Sequence, residues 1–112
     1  MPPTTREEIP PGTLDLLILK TLERNNELHG FQIANAIQAL SQDVLHVEEG
    51  SLYPALQRML VKGWLTAEWS KTPENRRARY YRLSRDGRKQ LAREITRYGR
   101  VSEAIGRVLQ PA

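Results

Sequence analysis

The stretch EEGSLYPALQRMLVKGWL, residues 48–65, reads as a short helix that stops at Lys62 and Gly63 and passes into a strand. Leu52, Leu56, Met59 and Leu60 recur at i, i+4, i+7 and i+8, the spacing of a single buried face. The other side carries Tyr53, Pro54, Gln57 and Arg58. These side chains can hydrogen-bond or pack, but they supply no nucleophile, no metal ligand and no obvious proton acceptor. A use for that face has to come from the elements around it.

Upstream, HGFQIANAIQALSQD places Phe31, Ile33, Ala34, Ile37 and Leu40 at helical spacing, a second helix of three to four turns. The connector VLHVE, which contains His46, joins the two. Further upstream, GTLDLLILKTLERN has Leu14, Leu17, Ile18, Thr21 and Leu22 on one stripe, with Thr13 placed to cap it. That helix is apolar nearly all round, as expected at a domain centre or against a second subunit. Residues 1–11, with Pro2, Pro3, Pro10 and Pro11, read as an extended arm. Downstream, WLTAEW and RYYRL flank SKTPENRRA and its turn at residues 73–75, a two-stranded hairpin with a basic, exposed tip. Trp64 and Trp69 are expected in the core, while Tyr80 and Tyr81 alternate faces, one in the core and one partly exposed.

Ser84 caps a last helix over residues 84–109, with Asp86 in its first turn and Gly87 weakening that turn. Leu91, Ile95, Tyr98, Ser102, Ile105 and Leu109 follow steps of 4, 3, 4, 3 and 4, a heptad rhythm interrupted by Ser102. At 1.5 Å per residue this helix is roughly 38 Å long, more than so small a domain can cover. Its seam calls for another chain.

The order helix, helix, helix, hairpin, long helix is that of a winged helix-turn-helix domain, residues 12–83, followed by a dimerisation helix. The fold class is therefore mainly α with a two-stranded β wing. In that layout the third helix enters the DNA major groove. Ser51 and the backbone N–H groups at its start suit a phosphate, Gln57 an adenine and Arg58 a guanine. Tyr53 offers a phenol and Pro54 an apolar edge for a thymine methyl. Arg76, Arg77 and Arg79, with Lys71 before them, would meet the backbone or minor groove from the wing. His29, beside Gly30, suits either a phosphate contact or a hydrogen bond at its helix start.

Charge agrees with this division. Residues 1–70 hold five Lys and Arg against nine Asp and Glu, whereas residues 71–112 hold twelve against four, so the net +4 is a −4 part and a +8 part. A localised basic surface attracts polyanions, nucleic acid above all. The competing reading is a dimeric protein-interaction module whose basic wing meets an acidic partner. The absence of cysteine excludes disulfides, thiolate nucleophiles and thiolate metal sites. With no Gly-rich phosphate loop and no metal-ligand cluster, neither catalysis, a cofactor nor a metal is expected. No apolar run is long enough to cross a bilayer and no signal peptide is evident, so a cytoplasmic, membrane-free protein is expected.

The motifs GTLDLLILKTL, HGFQIANAI, EEGSLYPALQRM, KGWLTAEW, NRRARYYRLSRDGRKQL and AIGRVL together resemble the PadR family of bacterial transcriptional regulators. The resemblance covers residues 12–109 and is strongest to the short form abundant in acidobacteria, with one C-terminal dimerisation helix. It implies a homodimer, usually a repressor, on a pseudo-palindromic double-stranded operator, with the first and last helices packing across the dimer. By position it implies a recognition helix at 50–62, a wing at 64–83, and DNA contacts from His29, Gly30, Ser51, Tyr53, Pro54, Gln57, Arg76, Arg77 and Arg79. Relatives often carry Trp where this chain has Tyr98, and in some that region forms a flat aromatic ligand pocket. Tyr98 is thereby implied as an interface residue and as a candidate contact for a small-molecule effector.

Overall fold

A computed structural model describes residues 7–10 and 12–111; the rest of the expected arm lies outside the described residues. The described end of that arm is not free. Glu7–Glu8 (β1) pairs in parallel with Leu45–His46 (β3), and the Glu7 N–H donates to the Val44 carbonyl at 2.7 Å.

Three helices surround the core. Leu14–Arg24 (α1) buries Ile18, Leu19, Thr21 and Leu22. Thr13 sits at its N-cap position but does not cap it. Its backbone is already in the αR region, and its hydroxyl donates back to the Pro10 carbonyl at 2.7 Å. Gly30–Leu40 (α2) buries Ile33 and Ile37. Phe31 and Leu40, expected on the same stripe, are exposed. Phe31 lies two residues from Ile33, about 200° round the helix, and so points away from the core. Glu49–Val61 (α3) buries Leu52, Ala55, Leu56 and Met59 while Leu60 is half-buried, close to the expected face.

Leu65–Lys71 (β4) and Arg77–Leu83 (β5) form the hairpin, in register from Leu65 opposite Leu83 to Lys71 opposite Arg77. The turn closes through the Thr72 N–H to the Arg76 carbonyl at 2.7 Å, with Asn75 at φ 64°, a left-handed position that asparagine tolerates. The sheet has a third strand absent from the two-stranded expectation, because Leu28–His29 (β2) pairs with Tyr81 and Tyr80 of β5. Two residues are too few to leave an alternating pattern. Pairing puts Leu65, Ala67, Trp69 and Lys71 on one face with Leu83, Tyr81, Arg79 and Arg77. The root of that face, Leu65 and Tyr81, is buried, but the hairpin projects past the core and leaves Trp69 59% exposed. The core position expected for Trp69 is therefore wrong, while Trp64 does pack against the core.

Arg85–Leu109 (α4) closes the chain. The Ser84 hydroxyl accepts from the Gly87 N–H at 3.0 Å and donates to the Gly63 carbonyl at 2.6 Å. The Ser84 N–H donates to the Trp64 carbonyl at 3.0 Å. Gly87 allows this close approach, since a Cβ there would stand 2.1 Å from the Trp64 oxygen. Leu91, expected on the dimer seam, is 1% exposed and belongs to the core of its own chain. The first turns of α4 overlie the domain, and the later ones overshoot it. The Cα radius of gyration is accordingly 15.6 Å, against about 13 Å for a compact chain of this length.

Candidate nucleic-acid interface

At 100° per residue the polar side of α3 divides into three strips. Gly50, Pro54, Gln57 and Val61 lie opposite the buried face, all exposed. Pro54 has no N–H, so the Gly50 carbonyl on this strip lacks its helical donor and is available to another one. Val61, missed in the sequence, adds an apolar edge at the end of the strip.

On one flank, Ser51, Arg58 and Lys62 line a polar cleft of about 660 Å³ between α3, the start of α1 and Glu94 and Arg97 of α4. Arg58 is held there in an ion pair with Asp15. The reading of Arg58 as a free guanine contact had no means of seeing this partner, 43 residues away in sequence. Ser51 is exposed but shares its turn with the exposed carboxylates Glu48 and Glu49, which oppose a phosphate.

On the other flank Tyr53 lies across the start of α2. A Cβ on Gly30 would be 2.8 Å from the Tyr53 ring. Gly30 is buried, so its part is to make room for Tyr53 rather than to touch DNA. His29 forms a capping box with Gln32: its Nδ1 accepts from the Gln32 N–H at 3.4 Å, and the Gln32 side chain accepts from the His29 N–H at 3.0 Å. Of the two readings offered by the sequence, this is the helix-start hydrogen bond. The other ring nitrogen is not used in that box.

Tyr53 also adjoins the wing. Burial pushes the Tyr81 phenol above its ordinary 10.0, the Arg79 charge opposes that rise, and Tyr53 adds to it. Arg79 lies with its guanidinium 6.0 Å from the Tyr81 ring and its Nε buried without a hydrogen-bond partner. Arg76 and Arg77 are exposed at the tip, and Arg77 lies 5.1 Å over the Trp69 ring. Trp69 thus supports a wing arginine. His46 faces Glu48 at 3.5 Å, but among the described residues no group of three or more His, Asp and Glu could hold a metal ion.

Beyond Leu91, Ile95, Tyr98, Val101, Ile105, Val108 and Leu109 are exposed on α4. Tyr98, Val101, Ser102 and Ile105 border a mostly apolar groove of about 620 Å³ whose other wall is Leu16 and Leu17 of α1, with Pro10 and Leu45. Val101 and Val108 were absent from the heptad reading because they lie beside its a and d positions.

An outward helical strip beside an arginine-tipped hairpin, on a three-helix core with a long trailing helix, is the build of a winged helix-turn-helix regulator of the DNA-binding class. Comparison with known proteins narrows this. The model of the transcriptional regulator PadR-like family matches residues 18–93, and the chain belongs to that family. Similar solved structures include a PadR family regulator from Clostridium difficile, 26% identical, with TM-score 0.73 over 88% of this chain and 100% of that one. A PadR-like regulator from Bacillus cereus is 25% identical, with TM-score 0.74 over 90% and 95%. A Clostridium thermocellum transcriptional regulator shares the fold at TM-score 0.80 over 88% and 95%, at 21% identity. An uncharacterised Lysinibacillus sphaericus protein is 25% identical across 89% of this chain and 91% of its own. The family is one of regulators, not enzymes. No helix among the described residues is long and apolar enough to cross a membrane.

Proposed function

We propose that the chain acts in the cytoplasm as a homodimeric repressor on a pseudo-palindromic operator, released by a small-molecule effector. The observation that carries this is the exposed outward strip of α3, Gly50, Pro54, Gln57 and Val61, beside a hairpin whose tip exposes Arg76 and Arg77. Gln57 reads a base edge, Pro54 meets a thymine methyl, and Tyr53 and the free face of His29 take phosphates, while the carboxylates of Glu48 and Glu49 turn a phosphate away from Ser51. Arg76, Arg77 and Arg79 hold the backbone. Arg58 reads guanine only by leaving Asp15, whereas in that pair it aims α3. Two copies join along Leu17, Ile95, Tyr98, Ser102, Ile105 and Leu109, and the half-sites then lie about 34 Å apart, one DNA turn. Tyr98, midway along the apolar groove, is the natural contact for an apolar, aromatic effector.

Selection of bound fragments from the source genome, followed by footprinting, tests this reading. An inverted repeat with half-sites one turn apart is the expected result, and Gln57→Ala should lose roughly 1–3 kcal/mol at that site and little elsewhere. Failure to retain any fragment at moderate salt sinks the operator and leaves the acidic protein partner as the better account. Compounds that release the bound fragment then identify the effector.

A further inference from the structure

α4 carries a charged surface used by neither the groove reading nor the apolar seam. Turning 100° per residue, Arg85, Lys89, Arg93, Arg100 and Arg107 fall within about 80° of one another. Ile95, Tyr98, Val101 and Ile105 centre on the opposite side of the helix, as do Gly87 and Leu91, by which α4 is buried on its own domain. Pairing of two chains along the apolar side therefore leaves the basic side in solvent.

All five basic residues are exposed. Arg107 pairs with Glu103 at 3.1 Å. Arg93 donates to the neutral Gln90 side chain at 3.1 and 2.9 Å, which leaves its charge uncompensated. No ion pair engages Arg85, Lys89 or Arg100 among the described residues. Asp86 flanks the start of the ridge and Glu103, one turn beyond Arg100, lies on it, so the five basic residues against these two carboxylates keep a net charge of +3. Between them lie the small Ala92 and Thr96, which keep the surface low and the guanidinium groups accessible.

We propose that this ridge is a second nucleic-acid contact, gripping the sugar–phosphate backbone of a duplex other than the one against α3. The stretch from Arg85 to Arg100 runs about 22 Å, the axial length of six or so phosphates of one strand. Arginine predominates over lysine, which favours phosphodiester oxygens held in pairs. An anionic membrane fits less well. A helix lying in a membrane surface needs its apolar side next to its basic one and pointing into lipid, and here the apolar side faces the domain and the groove. The contact reads no bases, and a regulator with both surfaces joins two DNA segments.

The test uses the full chain, one duplex immobilised on beads and a second, labelled duplex of unrelated sequence in solution. The wild type should capture the labelled duplex, with retention falling against salt at a log–log slope of about −3.6 for four neutralised phosphates. The triple variant Lys89→Gln, Arg93→Gln, Arg100→Gln should retain its melting temperature and its binding to one duplex, with the slope for the second falling to about −0.9. Capture by the triple variant equal to that of the wild type overturns the proposal, as does a wild type that captures no second duplex but sediments with phosphatidylserine vesicles. Second-duplex capture without operator selectivity would sink the operator reading and leave the ridge standing.

Discussion

Replacing Gly87 by Ala should destabilise the protein, although helix propensity alone gives the opposite sign. In an exposed helix interior Gly→Ala gains about 1 kcal/mol. Gly87, however, lies where α4 meets the start of β4, and an added Cβ would be 2.1 Å from the Trp64 carbonyl oxygen and 2.7 Å from Leu83 Cδ1. Both are well inside the roughly 3.5 Å at which non-bonded atoms attract. The carbonyl is tied in place, because it accepts from the Ser84 N–H. Relief has to come from lifting α4, and overpacking of this kind costs about 1–3 kcal/mol. Lifting the helix also stretches the Ser84 cap, worth about 1 kcal/mol. Against the propensity gain, the net loss is about 1–3 kcal/mol, or roughly 5–20 °C in melting temperature for a domain of this size. Thermal and urea melts at one fixed protein concentration measure it, since the midpoint of any chain that self-associates depends on concentration. Gly99→Ala, where no atom lies within 4 Å of the added carbon, is the control and should be neutral or stabilising. A Gly87→Ala variant that melts with or above the wild type refutes the close-approach account.

Arg76→Ala with Arg77→Ala should weaken binding to every DNA sequence and flatten the salt slope by about two units; an unchanged slope removes the wing from the backbone. Ile95→Asp with Tyr98→Asp should halve the sedimenting mass while leaving the helical circular dichroism in place, and an unchanged mass would remove the seam. Leu91→Ala should instead lower the stability of the chain itself by about 2–5 kcal/mol, whereas Ile105→Ala should shift association alone. Burial holds the Tyr81 phenol above 10.0, so below pH 10 neither folded nor unfolded chain ionises there. As pH rises past 10 the unfolded chain loses that proton first, and stability falls until the folded phenol follows. Tyr81→Phe should flatten that alkaline limb in a urea titration.

Local periodicity made the order of elements legible, and with it the winged helix fold. It could not say what each face meets. Leu91 and Ile95 share one heptad rhythm, yet the first is sealed by its own domain and the second is 46% exposed, because the difference lies in where the domain ends beneath α4. Phe31 fitted a helical count but points away from the core, and Leu40, nearly in line with Ile33, is exposed at the last residue of α2. Trp69 has the composition of a core residue and a position beyond the core. Arg58 was readable as a donor and unreadable as a partner of Asp15, since a contact 43 residues apart leaves no local signal. Gly87 shows the same limit from the other side: a sequence registers the flexibility of glycine, and only the fold registers the absent methyl group.

Ser84 has a mechanical consequence. Its hydroxyl and N–H tie together the loop leaving α3, the entry to β4 and the start of α4. Reading helix, hairpin and trailing helix therefore meet at one stiff joint. In a pair of such chains the crossing angle of the two trailing helices sets the stride between the two reading helices, as the angle of a pair of dividers sets the gap between its points. Under the proposed function, a molecule wedged between the trailing helices of such a pair would not need to approach DNA to spoil the fit. Opening the dividers by a few degrees puts the points out of step with the helical repeat.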